Sequence, residues 1–97
     1  MRIDEMVDQQ TLLLGLAEEA AELSQAALKL YRARDGKNPT AVTEENAIRH
    51  LNEEIGDCRL YLDQLHCVSE DMIDKAKKRK LARWAVRLLS KERGSMR

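Results

Sequence analysis

The polarity pattern of this 97-residue chain is helical along its length. Residues 11–30 read TLLLGLAEEAAELSQAALKL, and only Glu18, Glu19, Glu22 and Lys29 among them are charged. Leu and Ala recur on every side of the wheel, which predicts a buried helix rather than a half-solvated one. Further on, Ile48, Leu51, Ile55, Cys58, Leu62 and Leu65 keep the i, i+3, i+4, i+7 spacing of a single apolar stripe. A third packing face is supplied by Met72, Ile73, Ala76, Leu81, Trp84, Ala85 and Leu88, set among Lys and Arg. Nothing alternates with the period of a strand, and there is no repeat or low-complexity segment.

Punctuation residues place the boundaries. The spacing predicts helices over about 4–34, 43–67 and 69–91, with a bend in the first near Gly15. Gly36 suits the left-handed position that ends a helix. Lys37-Asn38-Pro39-Thr40 forms a polar loop that Pro39 keeps from being helical. Thr43 and Ser69 are the expected N-caps, each followed by two acids where the helix dipole favours them. Gly94-Ser95-Met96-Arg97 is expected to fray. The predicted fold is a single all-α domain over residues 1–97, with antiparallel helices forming a bundle. Because the first helix is too apolar for a monomer of this size, a second copy is expected to complete that bundle.

Composition narrows the setting. No apolar run approaches the ~18 residues of a membrane span. The N-terminus carries early acids and lacks a small-residue cleavage site, so a cytoplasmic protein is expected. Cys58 and Cys67 form no Cys-x-x-Cys, and both lie in sequence predicted helical, which favours reduced packing cysteines. Formal charge is zero but segregated. Residues 1–74 hold 7 basic and 16 acidic side chains, a net of −9. Residues 75–97 hold 10 basic and 1 acidic, a net of +9.

The acids bring in chemistry. At about 100° per residue, Glu18 and Glu22 lie about 40° apart and Glu19 and Glu22 about 60°, so all three point to one region. Carboxylates on so apolar a helix must be paired, protonated or bound to a cation. Glu54 and Asp57 form a second pair at the shoulder of the second stripe, with Glu53 pointing away and Tyr61 one turn beyond Asp57. Two acidic pairs on adjacent helices would repel severely, and a hard divalent cation, Mg2+ or Mn2+, is the simplest remedy. A di-iron bundle requires two Glu-x-x-His motifs. The nearest match is a single Asp63-x-x-His66, and His50 and His66 read as ordinary surface or core-edge residues. On the third helix Lys80, Arg83 and Arg87 fall along one line, and Lys29 is the only cation in its apolar stretch. Acids holding a cation, with Lys and Arg holding phosphate oxygens, describe a nucleoside triphosphate site without a Gly-rich phosphate loop.

These residues carry a resemblance. Glu18-Glu19-Ala20-Ala21-Glu22-Leu23, Lys29, Glu53-Glu54-Ile55-Gly56-Asp57 and Lys80-Leu81-Ala82-Arg83 resemble the motifs of the MazG-like all-α nucleoside triphosphate pyrophosphohydrolases over about residues 12–88. The resemblance implies hydrolysis of a (deoxy)nucleoside triphosphate to the monophosphate and pyrophosphate. It implies Mg2+ at Glu19, Glu22, Glu54 and Asp57, with Glu18 as a further ligand or orienting the attacking water. Lys29, Lys80 and Arg83 would hold the phosphates, in a homodimer or homotetramer. The alternative is a non-catalytic helical module that binds nucleic acid or an acidic partner through the basic third helix. The scarcity of aromatics, 3% with no Phe, and the lack of a helix-turn-helix pair count against nucleic acid.

Overall fold

The computed structural model describes the backbone of residues 2–36 and 42–95 and the side chains through residue 92. It is all-helical, with no strand among the described residues. A 3-10 turn, Ile3–Glu5, precedes α1 (Gln9–Asp35), α2 (Glu44–Gln64) and α3 (Glu70–Ser95). The expected loop at 37–40 and the last two residues of the expected frayed tail lie outside the described residues. Gly94 and Ser95 continue α3.

Local chemistry sets the ends. α1 begins at Gln9 rather than near Asp4, because the Asp8 side chain accepts the Thr11 N–H at 2.7 Å and caps the first turn. At the other end Gly36, at φ 71°, takes the left-handed conformation and donates its N–H to the Arg32 carbonyl. Thr43 caps α2 through the Asn46 N–H at 3.2 Å, and Ser69 caps α3 through the Met72 N–H at 3.3 Å. Both caps are the residues the sequence predicts.

The end of α2 differs from expectation. It stops at Gln64, not Cys67, and Leu65 turns extended at φ −80°, ψ 128°. Contacts distant in sequence are responsible. The buried Gln64 Oε1 accepts the N–H groups of Ile3 and Asp4 at 3.0 and 3.2 Å. Gln9 answers from α1: its Nε2 donates to the Gln64 carbonyl at 3.2 Å, and its Oε1 accepts the His66 N–H at 2.8 Å. His66 Nε2 lies 2.6 Å from Asp4 Oδ2. Cys67 therefore sits exposed in the turn after α2, whereas Cys58 is buried on α2; both thiols are free.

α1 and α2 form an antiparallel hairpin. Gln9 meets Gln64 at one end, and Arg34 Nε meets Glu44 Oε1 at 2.8 Å at the other. Leu12, Ala26, Ala47, Cys58 and Leu65 are the buried apolar residues between them. Alanine on both helices permits close approach. α1 runs without interruption through Gly15, where the sequence suggested a bend. That glycine is a seat for the Tyr61 ring: a β-carbon there would lie 2.7 Å from the Tyr61 hydroxyl oxygen.

Much apolar surface stays uncovered in the single chain. Only one stripe of α1 is shielded, while Leu14 and Leu28 are 62% and 49% exposed. α3 makes no extensive contact with the hairpin, and the molecule spans 60 × 40 × 18 Å. Of the predicted α3 packing face, only Ile73 is half-buried; the rest is exposed. The single chain is thus a hairpin with a projecting helical arm. No helix among the described residues is long and apolar enough to cross a membrane.

Candidate metal centre

The shielded stripe of α1 passes through Leu12, Leu16, Glu19, Leu23, Ala26 and Leu30, so Glu19 occupies a core position. Glu22 follows one turn later, at the edge of the stripe and exposed. On α2 the covered face runs Ala47, Leu51, Glu54, Cys58, Tyr61, Leu65. Glu54 lies in the middle of that face, not on its shoulder, and is only 8% exposed. The predicted stripe was rotated: Ile48 and Leu62 are exposed, while Ala47 and Glu54 are buried. Antiparallel pairing then sets Glu19 opposite Glu54.

Glu19, Glu22 and Glu54 each offer a carboxylate oxygen, and these lie within 4.8 Å of one another. Glu19 Oε2 and Glu54 Oε2 are buried and have no hydrogen-bond partner. Glu54 Oε1 faces His50 Nε2 at 3.3 Å, an i, i+4 pair on α2. Burial, then the charge of Glu22, pushes the Glu19 carboxyl up to about 7; Glu54 and Asp57 add to the effect. The Cys58 thiol is also raised, first by burial and then by the charges of Glu19, Glu54, Asp57 and Glu22. Asp57 is itself exposed beside the cluster.

This donor set suits a hard cation. The converging groups are all carboxylates, and Glu19 and Glu54 each keep one buried oxygen without a partner, an arrangement that is costly unless a proton or a cation supplies one. A di-iron site does not fit. Asp63 is exposed, and His66 pairs with Asp4 beyond the end of α2.

The remaining predicted residues lie apart from the cluster in the single chain. Glu18 is exposed and outside the converging group. Lys29 is half-buried on α1, about 15 Å along the axis from Glu19 at ~1.5 Å per residue. Lys80 and Arg83 are exposed on α3, with the Lys80 ammonium 5.5 Å from the centre of the Trp84 ring. Three features escaped sequence reasoning: the Tyr61–Gly15 seat, the Gln9–Gln64 clip and the thiol next to the acids. The His50–Glu54 pair, by contrast, was visible in the sequence as an i, i+4 spacing.

The fold and site define a helical hairpin with a carboxylate cluster at its core and a basic arm. No family model, no curated protein and no solved structure matches this chain.

Proposed function

We propose that this chain is a Mg2+-dependent nucleoside triphosphate pyrophosphohydrolase of the MazG-like kind, working as an assembly of two or more copies. The observation that carries the reading is the convergence of Glu19, Glu22 and Glu54, two of them with buried, unpartnered oxygens. These three and the neighbouring Asp57 would hold the cation, with Mn2+ as a substitute. Once bound, the cation lowers the pKa of water and neutralises phosphate charge.

The chain's own groups do the rest. Glu19 and Glu54, fixed on facing helices, preset the geometry and exclude bulk water on the hairpin side. His50 holds Glu54 from one oxygen and leaves the other buried and unpartnered. Glu18 stands one residue from the cluster on the open side, where it orients the attacking water or adds a ligand. Water adds to the α-phosphorus, the bond to the α–β bridging oxygen breaks, and pyrophosphate leaves with the monophosphate retained. Lys29, Lys80 and Arg83 are assigned to the phosphate oxygens.

A panel of NTPs and dNTPs incubated with Mg2+ and resolved by ion-exchange chromatography tests the reading. Monophosphate and pyrophosphate are expected, with Glu22→Gln much slower. No turnover across the panel, or turnover indifferent to Glu22→Gln, would sink it.

The second reading is a binding module. Every described side chain from Asp74 to Glu92 is exposed, and 8 of the 17 Lys and Arg residues lie there. DNA or RNA binding that falls steeply with salt would favour it over the hydrolase.

A further inference from the structure

The arm and the hairpin carry complementary stripes. On α3, Leu81, Trp84 and Leu88 lie within about 60° of arc, and Lys80, Arg83 and Arg87 fill a neighbouring ~60°. Leu81, Trp84 and Leu88 are 65%, 50% and 64% exposed. On α1, Leu14, Ala17, Ala21 and Leu28 fall within about 60° on the side turned away from α2. All four are exposed, and Glu18 and Glu22 border them. Over residues 14–28 of α1 and 80–88 of α3, each helix thus presents an uncharged stripe edged by one sign of charge, and the signs are opposite; the half-buried Lys29 stands just past the end of the α1 stripe.

A 26-residue helix whose described side chains are all exposed from Asp74 onward lacks the packing that stabilises most protein helices. Charge says what covers it. Residues 75–97 carry +9 and residues 1–74 carry −9, with 10 basic and 1 acidic side chains against 7 basic and 16 acidic. The arm is attracted to an acidic hairpin, yet it makes no extensive contact with its own. Its 26 residues nearly match the 27 of α1.

We infer that α3 is an exchange arm that docks on α1 of a second copy of this chain. Its Leu81–Trp84–Leu88 stripe covers the partner's Leu14, Ala17, Ala21 and Leu28. Its basic line runs along the partner's Glu18 and Glu22. The inference deepens the proposed function and rests on it in one respect: the arm brings Lys80 and Arg83 alongside Glu22, the exposed member of the partner's carboxylate cluster, so each site draws phosphate-binding residues from the other copy. The arrangement also explains why Glu18, exposed and outside the cluster, shares its helix edge with Glu22.

Mass by light scattering on the full chain tests it. Wild type is expected at two copies or more, with dissociation promoted by salt. Leu81→Glu/Leu88→Glu is expected at the mass of one chain. These side chains are exposed in the single chain, so the hairpin should keep its helical circular dichroism. Ala21→Glu, on the opposite surface, is expected to weaken assembly about tenfold or more. A single-chain mass for wild type overturns the inference, and nucleic-acid binding by that monomer would hand the arm to the second reading. An arm variant that keeps the wild-type mass overturns it as well. Turnover plays no part in this measurement. A chain that assembles through α3 yet hydrolyses no nucleotide sinks the hydrolase and leaves the arm, and active monomers do the reverse.

Discussion

Two residues show how strongly this small hairpin depends on single side chains. Gly15 is buried under the Tyr61 ring. Replacing it with Ala should gain about 1 kcal/mol of helix propensity, but overpacking against the ring costs about 1–3 kcal/mol. The net expectation is a lower urea midpoint for Gly15→Ala. In a Tyr61→Ala background, where the ring is gone, the same substitution should raise the midpoint. A loss of equal size in both backgrounds would refute the steric account. Glu19 makes a pH prediction. Its pKa rises from 4.5 to about 7 on folding, so the folded state binds its proton more tightly than the unfolded chain does. The resulting stabilisation is fully present below about 4.5 and is lost as pH rises through about 7. Cation-free protein should therefore lose melting temperature across that window, and Glu19→Gln should remove the slope. Asp4 behaves oppositely. Held down to about 2, first by the Arg2 hydrogen bond and then by His66, it stabilises the fold above the ordinary carboxylate range and loses that effect as pH falls through about 2.

At the scale of elements, residues near one another in sequence were the readable ones. Thr43, Ser69 and Gly36 each act through a neighbour three or four positions away, so the sequence displays both partners. The end of α2 was not readable, because Gln64 is held by Ile3, Asp4 and Gln9 from the other end of the chain. Gln64→Ala leaves two N–H groups without their acceptor and should cost about 1–3 kcal/mol. Hydrogen exchange should speed up at Ile3 and Asp4 first; unchanged protection there would contradict the clip. The rotation of the α2 stripe has a similar cause. Ile48 and Leu62 look like core by polarity, but the antiparallel partner presents Ala26 and Glu19, and small Ala47 and buried Glu54 face them instead. Paired acids were visible as Glu19-x-x-Glu22 and Glu54-x-x-Asp57. Their depth was not, since burial depends on the facing helix.

For the molecule as a whole, the zero net charge conceals the main division of labour. An acidic hairpin holds a cluster of three carboxylates, two of them with buried, unpartnered oxygens, and a basic arm stands off with its apolar stripe uncovered. Sequence predicted the partner from the apolarity of α1; the structure adds that α3 is left equally bare. A magnesium titration separates the cluster from the surface acids. Mg2+ should raise the melting temperature of wild type at neutral pH and leave Glu54→Gln nearly unmoved, because Glu54 supplies one of the two buried, unpartnered carboxylate oxygens. Equal shifts in both proteins would place cation binding elsewhere.

The most direct test of the central claim follows the phosphorus of a nucleoside triphosphate by 31P NMR in the presence of Mg2+. Wild type should yield monophosphate and pyrophosphate in equal amounts, and Glu54→Gln should slow that turnover about 100-fold or more. Release of orthophosphate and diphosphate, or undiminished turnover in Glu54→Gln, would contradict the account.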